Sequence, residues 1–407
     1  MSPLVPVTTH RSGTHLPLLE LLPDNSPVSW VRGNEGLVGW GIYARTTVTG
    51  RDRFEKAREW WHQQLETFSI DNAVHASGTG PVLFTSFSFD RNNESVLIIP
   101  KVIVGQKNAE SWITWIGDSQ QPQLVDTPLS ISQGEITYSD GSISTTEWTE
   151  RVAEAIKRID ESAVDKVVLA RDLRGTSTID IDARAILKKL ALEYPSTWTF
   201  SVDGLVGATP ELLLRLSRGM VTSRVLAGTI PKTGDDEKDL ALAASLARSS
   251  KDLEEHEYAV RSVAEALEPF CTSTNVPESP FVLHLANVMH LATDVTGALI
   301  ESKVRVDAFS LLQSLHPSAA VCGTPRNVAF DIIDEIEGMD RGRYAGPVGW
   351  IDAKGDGELG IALRSGQILG REIRIFAGCG IVSGSDPEKE LEESAAKMLA
   401  MRSALQL

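Results

Sequence analysis

The chain is short of cysteine, of positive charge and of long apolar runs, and each shortage removes a class of protein. Its three cysteines, Cys271, Cys322 and Cys379, stand at no CxxC spacing, so they build neither a zinc knuckle nor a redox pair, and a reducing compartment is expected. Lysine and arginine number 39 against 55 aspartates and glutamates, a formal charge of −16. A nucleic-acid surface needs a dense basic footprint and an anionic membrane repels such a chain, so neither is an expected partner. The longest greasy stretch, Val96 to Val104, is broken by Pro100 and Lys101 and falls short of the roughly 20 residues of a spanning helix. Met1 to Trp30 carries prolines and acids where an export signal has a basic start and an unbroken apolar run. A cytoplasmic protein is expected, with a single chain as its assembly. There is no internal repeat, and GCGIVSG lacks the spacing, the helix and the downstream acid of a dinucleotide fingerprint.

What is present is enough apolar residue, 42%, to build a large core. The first 140 residues alternate short apolar runs with turns: Gly36 to Tyr43, Val82 to Phe89, Val96 to Val104 and Trp112 to Ile116 read as strands, and Asp52 to Phe68 as a helix. From Thr145 the run TTEWTERVAEAIKRIDES reads as a helix with threonines able to cap it. Strands are expected at Lys166 to Arg171, Thr199 to Val206, Leu212 to Leu216, Met220 to Leu226, Gly346 to Asp352, Glu358 to Leu369 and Arg371 to Ala377, with a strand-like run at HLANVMHLATDVTGAL. Helices are expected at Asp182 to Tyr194, Asp235 to Phe270, Ala308 to Leu315, Val328 to Glu337 and from Pro387 onward. Strands come in groups with helices between the groups, so the fold class is α+β, with large antiparallel sheets packed together and flanked by helices. Residues 1–140 are expected to be a β-rich region of the same compact body, and 141–407 a second region that carries the chemistry.

The tail is the most informative segment. Gly378 and Gly380 would let a ligand approach the backbone, and Ser385 with Glu388 three residues on reads as a capping box. In that phase Glu390, Glu393 and Lys397 share one helix face, and Asp252 with Glu255 forms a second acid pair one turn apart. A solvated acidic face is the common origin of such a pattern. Two such pairs meeting across a cleft would instead make an oxygen-rich site of the kind Mg²⁺ prefers. Other features are individually weak: Lys166 at a strand end ordinarily faces solvent, Glu211 after the Thr209-Pro210 turn is ordinarily exposed, His290 is by default a core histidine, and Arg364 after an apolar strand would need an anion if buried.

Together these segments resemble the chorismate-utilising enzymes, the family of isochorismate, salicylate, anthranilate and aminodeoxychorismate synthases, from Thr145 to Leu407. The blocks run in the family's order: KVVLAR, GATPELL, LAGT, the KDxxEH helix, VMHL, HPxxAVCGTPR, GRYAGPVGW, DGELGIALRS and AGCGIVSGSDPEKELEES. The resemblance implies chorismate as substrate and Mg²⁺ as cofactor, with Glu255 and Glu393 as direct ligands and Asp252 and Glu390 acting directly or through water. It gives Tyr344, Arg364 and Lys397, beside the backbone of Gly378 and Gly380, to substrate carboxylates, and places Gly228, Thr229 and His290 along the ring. In relatives that add water, the equivalent of Lys166 is the general base and that of Glu211 the general acid. Those roles ask that Lys166 fall from about 10.4 and that Glu211 rise. The lysine of the ammonia-using PIKGT block is absent from Val225-Leu226-Ala227-Gly228-Thr229, so isochorismate synthase is favoured. Salicylate synthase and the ammonia-using synthases remain as alternatives, and Ala320, where salicylate-forming relatives often carry a hydroxyl, leans against the former.

Overall fold

β-branched and aromatic runs pair with one another over long sequence distances in the computed structural model, which describes residues 3–13, 17–24, 27–117, 120–127, 134–161, 164–301 and 306–406. Parts of the Met1 to Trp30 stretch, and Ser162 at the end of the first expected helix of the second region, lie outside them. Among the described residues 21 strands join into one hydrogen-bonded sheet, with eight α-helices packed on it. Pairing is antiparallel except where Val5–Ser12 meets Phe68–Asn72, as the α+β reading expects.

So long a sheet has to bend. Register shifts fall between Ile42 and Ala44, between Leu212 and Leu214 and between Ala227 and Thr229, where an extra residue in one strand re-aims the chain. The sheet folds over a core of Trp30, Phe84, Trp198, Phe200 and Trp350 that takes no residue from an α-helix. A larger core joins strands to helices through Phe54, Trp61, Trp148, Val263, Leu312 and Ile333. Early strands pair with late ones: Val28–Arg32 with Trp198–Val202, and Val82–Ser86 with Pro347–Asp352. No helix among the described residues is long and apolar enough to cross a membrane.

Several expected elements are divided in the fold, each for a local reason. The run Asp235 to Phe270 is two helices, Asp236–Leu246 and Ser250–Leu267, because Ser249 caps the second by accepting from Asp252 N at 3.3 Å. The run Thr199 to Val206 is a hairpin, Trp198–Val202 and Leu205–Thr209, turned at Asp203 and Gly204 with φ of 51° and 78°. The run Glu358 to Leu369 is two strands, Gly357–Ile361 and Ser365–Leu369, parted at Arg364, whose φ is 47°. The last helix, Pro387–Leu405, is capped by Asp386 and not by Ser385: the Asp386 carboxylate accepts from the amides of Glu388 and Lys389, while Ser385 Oγ accepts from Val382 N. The Thr145–Asp160 helix is capped by Ser144, in a reciprocal box with Glu147, and not by a threonine.

Candidate active site

The four segments that carry Lys166, Glu211 and the two acid pairs each give a residue to one cavity of about 60 Å³, lined by Val168, Glu211, Glu255, Gly228, Thr229, His290, Tyr344, Arg364, Gly378, Gly380 and Lys397. Lys166 opens the strand Lys166–Ser177, which lies between Glu372–Ile381 and Gly323–Thr324. It is fully buried and lies just behind the cavity wall: a Cβ built on Gly380 would meet Lys166 Cε at 2.9 Å and the Glu255 carboxylate closer still. Its Nζ is 3.1 Å from Glu255 Oε1, a contact outside hydrogen-bond geometry, so this buried nitrogen has no hydrogen-bond partner. The solvent-facing expectation for this lysine does not hold, because its side chain packs over Gly380 and against the Glu255 carboxylate.

Glu211 is buried as well, 4% exposed, at the turn between Leu205–Thr209 and Leu212–Ser217. Thr209 Oγ1 takes its amide at 3.2 Å. Burial pushes its carboxyl up to about 8, against the opposing charges of Lys166, Arg364 and Lys397. At neutral pH it is therefore a protonated acid facing the cavity.

Charge partners fix the rest of the wall. Arg364 is 8% exposed, and its Nη2 lies 2.9 Å from His290 Nε2. A guanidinium can only donate, so His290 Nε2 accepts and the imidazole proton sits on Nδ1. There it faces Thr229 Oγ1 at 3.1 Å and the Gly228 carbonyl at 3.3 Å. Burial, then Arg364 and Lys397, hold His290 well below its ordinary range, in agreement with a neutral ring. Tyr344 stacks on Phe376 with centroids 5.1 Å apart, and burial pushes its hydroxyl up to about 12. Lys397 donates to the Gly378 carbonyl at 2.9 Å and pairs with Glu393 Oε1 at 2.5 Å. A side chain at Gly378 would press on the Tyr344 hydroxyl at 3.2 Å, which accounts for the glycine there.

The two acid pairs face each other, a point that spacing along the chain left open. Lys251 donates to Glu390 Oε1 across the two helices at 3.2 Å, and the charge of Glu393 acts on Asp252. Burial, then the Ser249 bond working against it and the Glu255 charge working with it, leaves Asp252 raised; burial and then Glu393 raise Glu390. Burial opposes ionisation of Glu255 too, but Lys166, Lys397 and Lys251 outweigh it and hold Glu255 below the usual carboxylate range. Among the described residues, Glu390, Glu393 and Cys379 have ligand atoms all within 4.8 Å of one another, and Asp252 and Glu255 are not part of that group. The Cys379 thiol is pushed up by burial and donates to the Glu390 carbonyl at 3.3 Å, which leaves oxygen as the donor set. Four carboxylates on two facing helices, of which Asp252 and Glu390 are raised partly by neighbouring carboxylates, fit a hard divalent cation.

Sequence reasoning passed over Arg341, Glu337 and Lys251. Arg341 lines the cavity, pairs with Glu337 Oε1 at 2.7 Å, and donates to the carbonyls of Val321 and Val168 at 2.8 and 2.7 Å. Glu337 also accepts from Ala170 N at 2.8 Å. The pair pins three segments that line the site, and its i, i+4 spacing was the available signal.

Known proteins resemble this chain over most of its length. The chain is 32% identical over 403 residues to "Isochorismate synthase MenF" of Bacillus subtilis, covering 91% of this chain and 85% of that one. It is 34% identical over 360 residues to "Isochorismate synthase DhbC" of the same organism, covering 84% and 86%. The solved structure described as "Crystal structure of putative 2,3-dihydroxybenzoate-specific isochorismate synthase, DhbC from Bacillus anthracis" superposes with a TM-score of 0.80 at 30% identity, covering 95% of this chain and 98% of that one. The family described as "Chorismate binding enzyme" matches residues 28–406, and the chain belongs to that family.

Proposed function

We propose that the protein is an isochorismate synthase, an isomerase that adds water at C2 of chorismate with loss of the C4 hydroxyl. The observation that carries the reading is the buried Glu211, its carboxyl pushed up to about 8, on the same cavity as Val168 of the Lys166 strand, Glu255 and Lys397. Asp252, Glu255, Glu390 and Glu393 would hold Mg²⁺, which when bound offsets the ring carboxylate and draws electron density from the ring. Arg364 and Lys397 meet the substrate's negative charge, as a dianion entering a −16 protein requires, with Arg364 held in place by His290. Tyr344 donates its hydroxyl hydrogen beside the Gly378 and Gly380 backbone.

Lys166, in its amine form, takes a proton from water as the oxygen bonds to C2. The ring double bond shifts, and the C4 hydroxyl departs as water with the proton of Glu211. One proton is gained by Lys166 and one lost by Glu211, so the reaction balances. The base role requires release of the Lys166 contact with Glu255. Ala320 and Ala227 line the cavity, which supports a product that stops at isochorismate and a nucleophile other than a lysine or ammonia. Three free thiols support a cytoplasmic setting.

The test is a chromatogram of what forms from chorismate and Mg²⁺. Isochorismate from the wild type and none from Lys166→Met is the expected result. Salicylate with pyruvate, or an amino product with ammonium salts, would overturn the reading.

A further inference from the structure

A second concentration of positive charge lies apart from the active site. A cavity of about 370 Å³ is lined by Arg51, Arg53, Arg91, Arg326, His316 and Phe330, with Asp331 as the carboxylate on its wall. Asp90 lies near enough to act on Arg53. Among the described residues none of these four arginines is in an ion pair. Arg53 and Arg326 reach only the carbonyls of Gly50 at 3.4 Å and Ser314 at 2.8 Å. In a chain with 16 surplus acids, four unpaired arginines on one cavity call for an anion from outside.

Two of these groups are more than nine-tenths buried and lack partners: Arg53 Nε, in a residue 6% exposed, and both ring nitrogens of His316, 4% exposed. A backbone group of Phe89 approaches the His316 ring without hydrogen-bond geometry. Leaving such groups unsatisfied is costly, and an acceptor in the cavity would satisfy them. Burial, then Arg53, Arg326 and Arg341, hold His316 well below its ordinary range, so the ring is neutral and offers one N–H. Arg53 and Arg326 are also the first residues of the helices Arg53–Leu65 and Arg326–Ile336, neither of which has a side-chain cap, so two positive helix ends meet at this wall. Phe330 stacks on Phe89 with centroids 5.7 Å apart, and the Arg91 guanidinium lies 5.5 Å from the Phe330 ring. That apolar surface suits a ligand with a hydrocarbon body.

We propose that this cavity is a second anion site, separate from the catalytic one, for a small organic dianion bearing carboxylate or phosphate groups. Titration calorimetry on the full chain with inorganic phosphate, malonate and phthalate tests it. Saturable binding of at least one probe is expected, retained in Arg364→Met, whose catalytic cavity is impaired, and weakened at least tenfold in Arg326→Gln and in the double variant Arg51→Glu, Arg91→Glu. Binding of phosphate alone assigns the phosphate class, and binding of malonate or phthalate the carboxylate class. Arg51 is exposed, so the double variant carries the test should Arg326→Gln misfold. No saturable binding by any probe, binding lost in Arg364→Met but kept in the arginine variants, or equal binding in every protein would each overturn the proposal.

Discussion

Replacing Glu211 with glutamine should make the protein more stable and nearly inactive at once. The carboxyl rises from 4.5 to about 8 because it is buried. A carboxyl that is protonated in the fold and ionised in the unfolded chain takes up a proton on folding. The stability linked to it is complete below about pH 4.5 and is lost as pH rises toward 8. The span is 8 − 4.5 = 3.5 units, which at about 1.36 kcal/mol per unit sets an upper bound of about 5 kcal/mol. Glutamine has the shape of the protonated acid and carries no such dependence. The variant should therefore gain on the wild type by about 1.4 kcal/mol per pH unit between about pH 5 and 8, reaching about 3 kcal/mol at about pH 7. Urea unfolding of both proteins across that range reads the gap, while kcat should fall by about 10² to 10⁴ with the acid gone. A gap that stays flat with pH, or a wild type that is the more stable at about pH 8, would mean that Glu211 is ionised in the fold and cannot be the acid.

Gly380→Ala should abolish isochorismate formation while leaving the circular dichroism spectrum intact, since its Cβ would collide with the Glu255 carboxylate and Lys166 Cε; a variant with normal kcat would contradict the packing. Glu255→Gln exchanges a carboxylate oxygen proposed to hold Mg²⁺ for an amide and removes the charge opposite Lys166, so the Mg²⁺ concentration for half activity should rise at least about tenfold, and an unchanged metal titration would remove Glu255 from the proposed ligand set. Arg341→Met leaves Glu337 buried without its partner and should cost about 3 to 5 kcal/mol in urea unfolding; a loss under about 1 kcal/mol would show the pair to be dispensable. The wild type's rate should fall as pH rises through about 8, where Glu211 loses its proton, and a rate that climbs steadily through that range would exclude it.

Much of the fold was legible because period and turn chemistry act locally. The helix Ala308–Leu315 has the bounds its pattern gives, and Pro347–Asp352 nearly so. What escaped depends on competition between neighbours. Ser385 and Asp386 both carry capping oxygens, and the amide geometry chose Asp386. Ser249 ended one helical pattern by starting another, and Arg364 broke an apolar run by taking a positive φ, a conformation that an arginine does not announce. The strands Val5–Ser12, Phe68–Asn72 and Ile136–Asp140 carry many polar residues and find order in their partners alone.

The site was legible in its residues but not in its arrangement. Glu390, Glu393 and Lys397 share a helix face by arithmetic, whereas their meeting with Asp252 and Glu255 rests on a sheet whose strands pair across more than a hundred residues. Lys166 and Glu211 read singly as exposed side chains, because burial is a property of what covers them. Cys379 read only as one of three cysteines without a CxxC partner, though the fold sets it against Glu390 and Glu393.

The most direct measurement is the fate of oxygen. Chorismate and Mg²⁺ turned over in ¹⁸O-labelled water should give a product whose C2 hydroxyl carries the label, since the entering oxygen comes from solvent and the C4 oxygen leaves. A product formed without label at C2 would contradict the account.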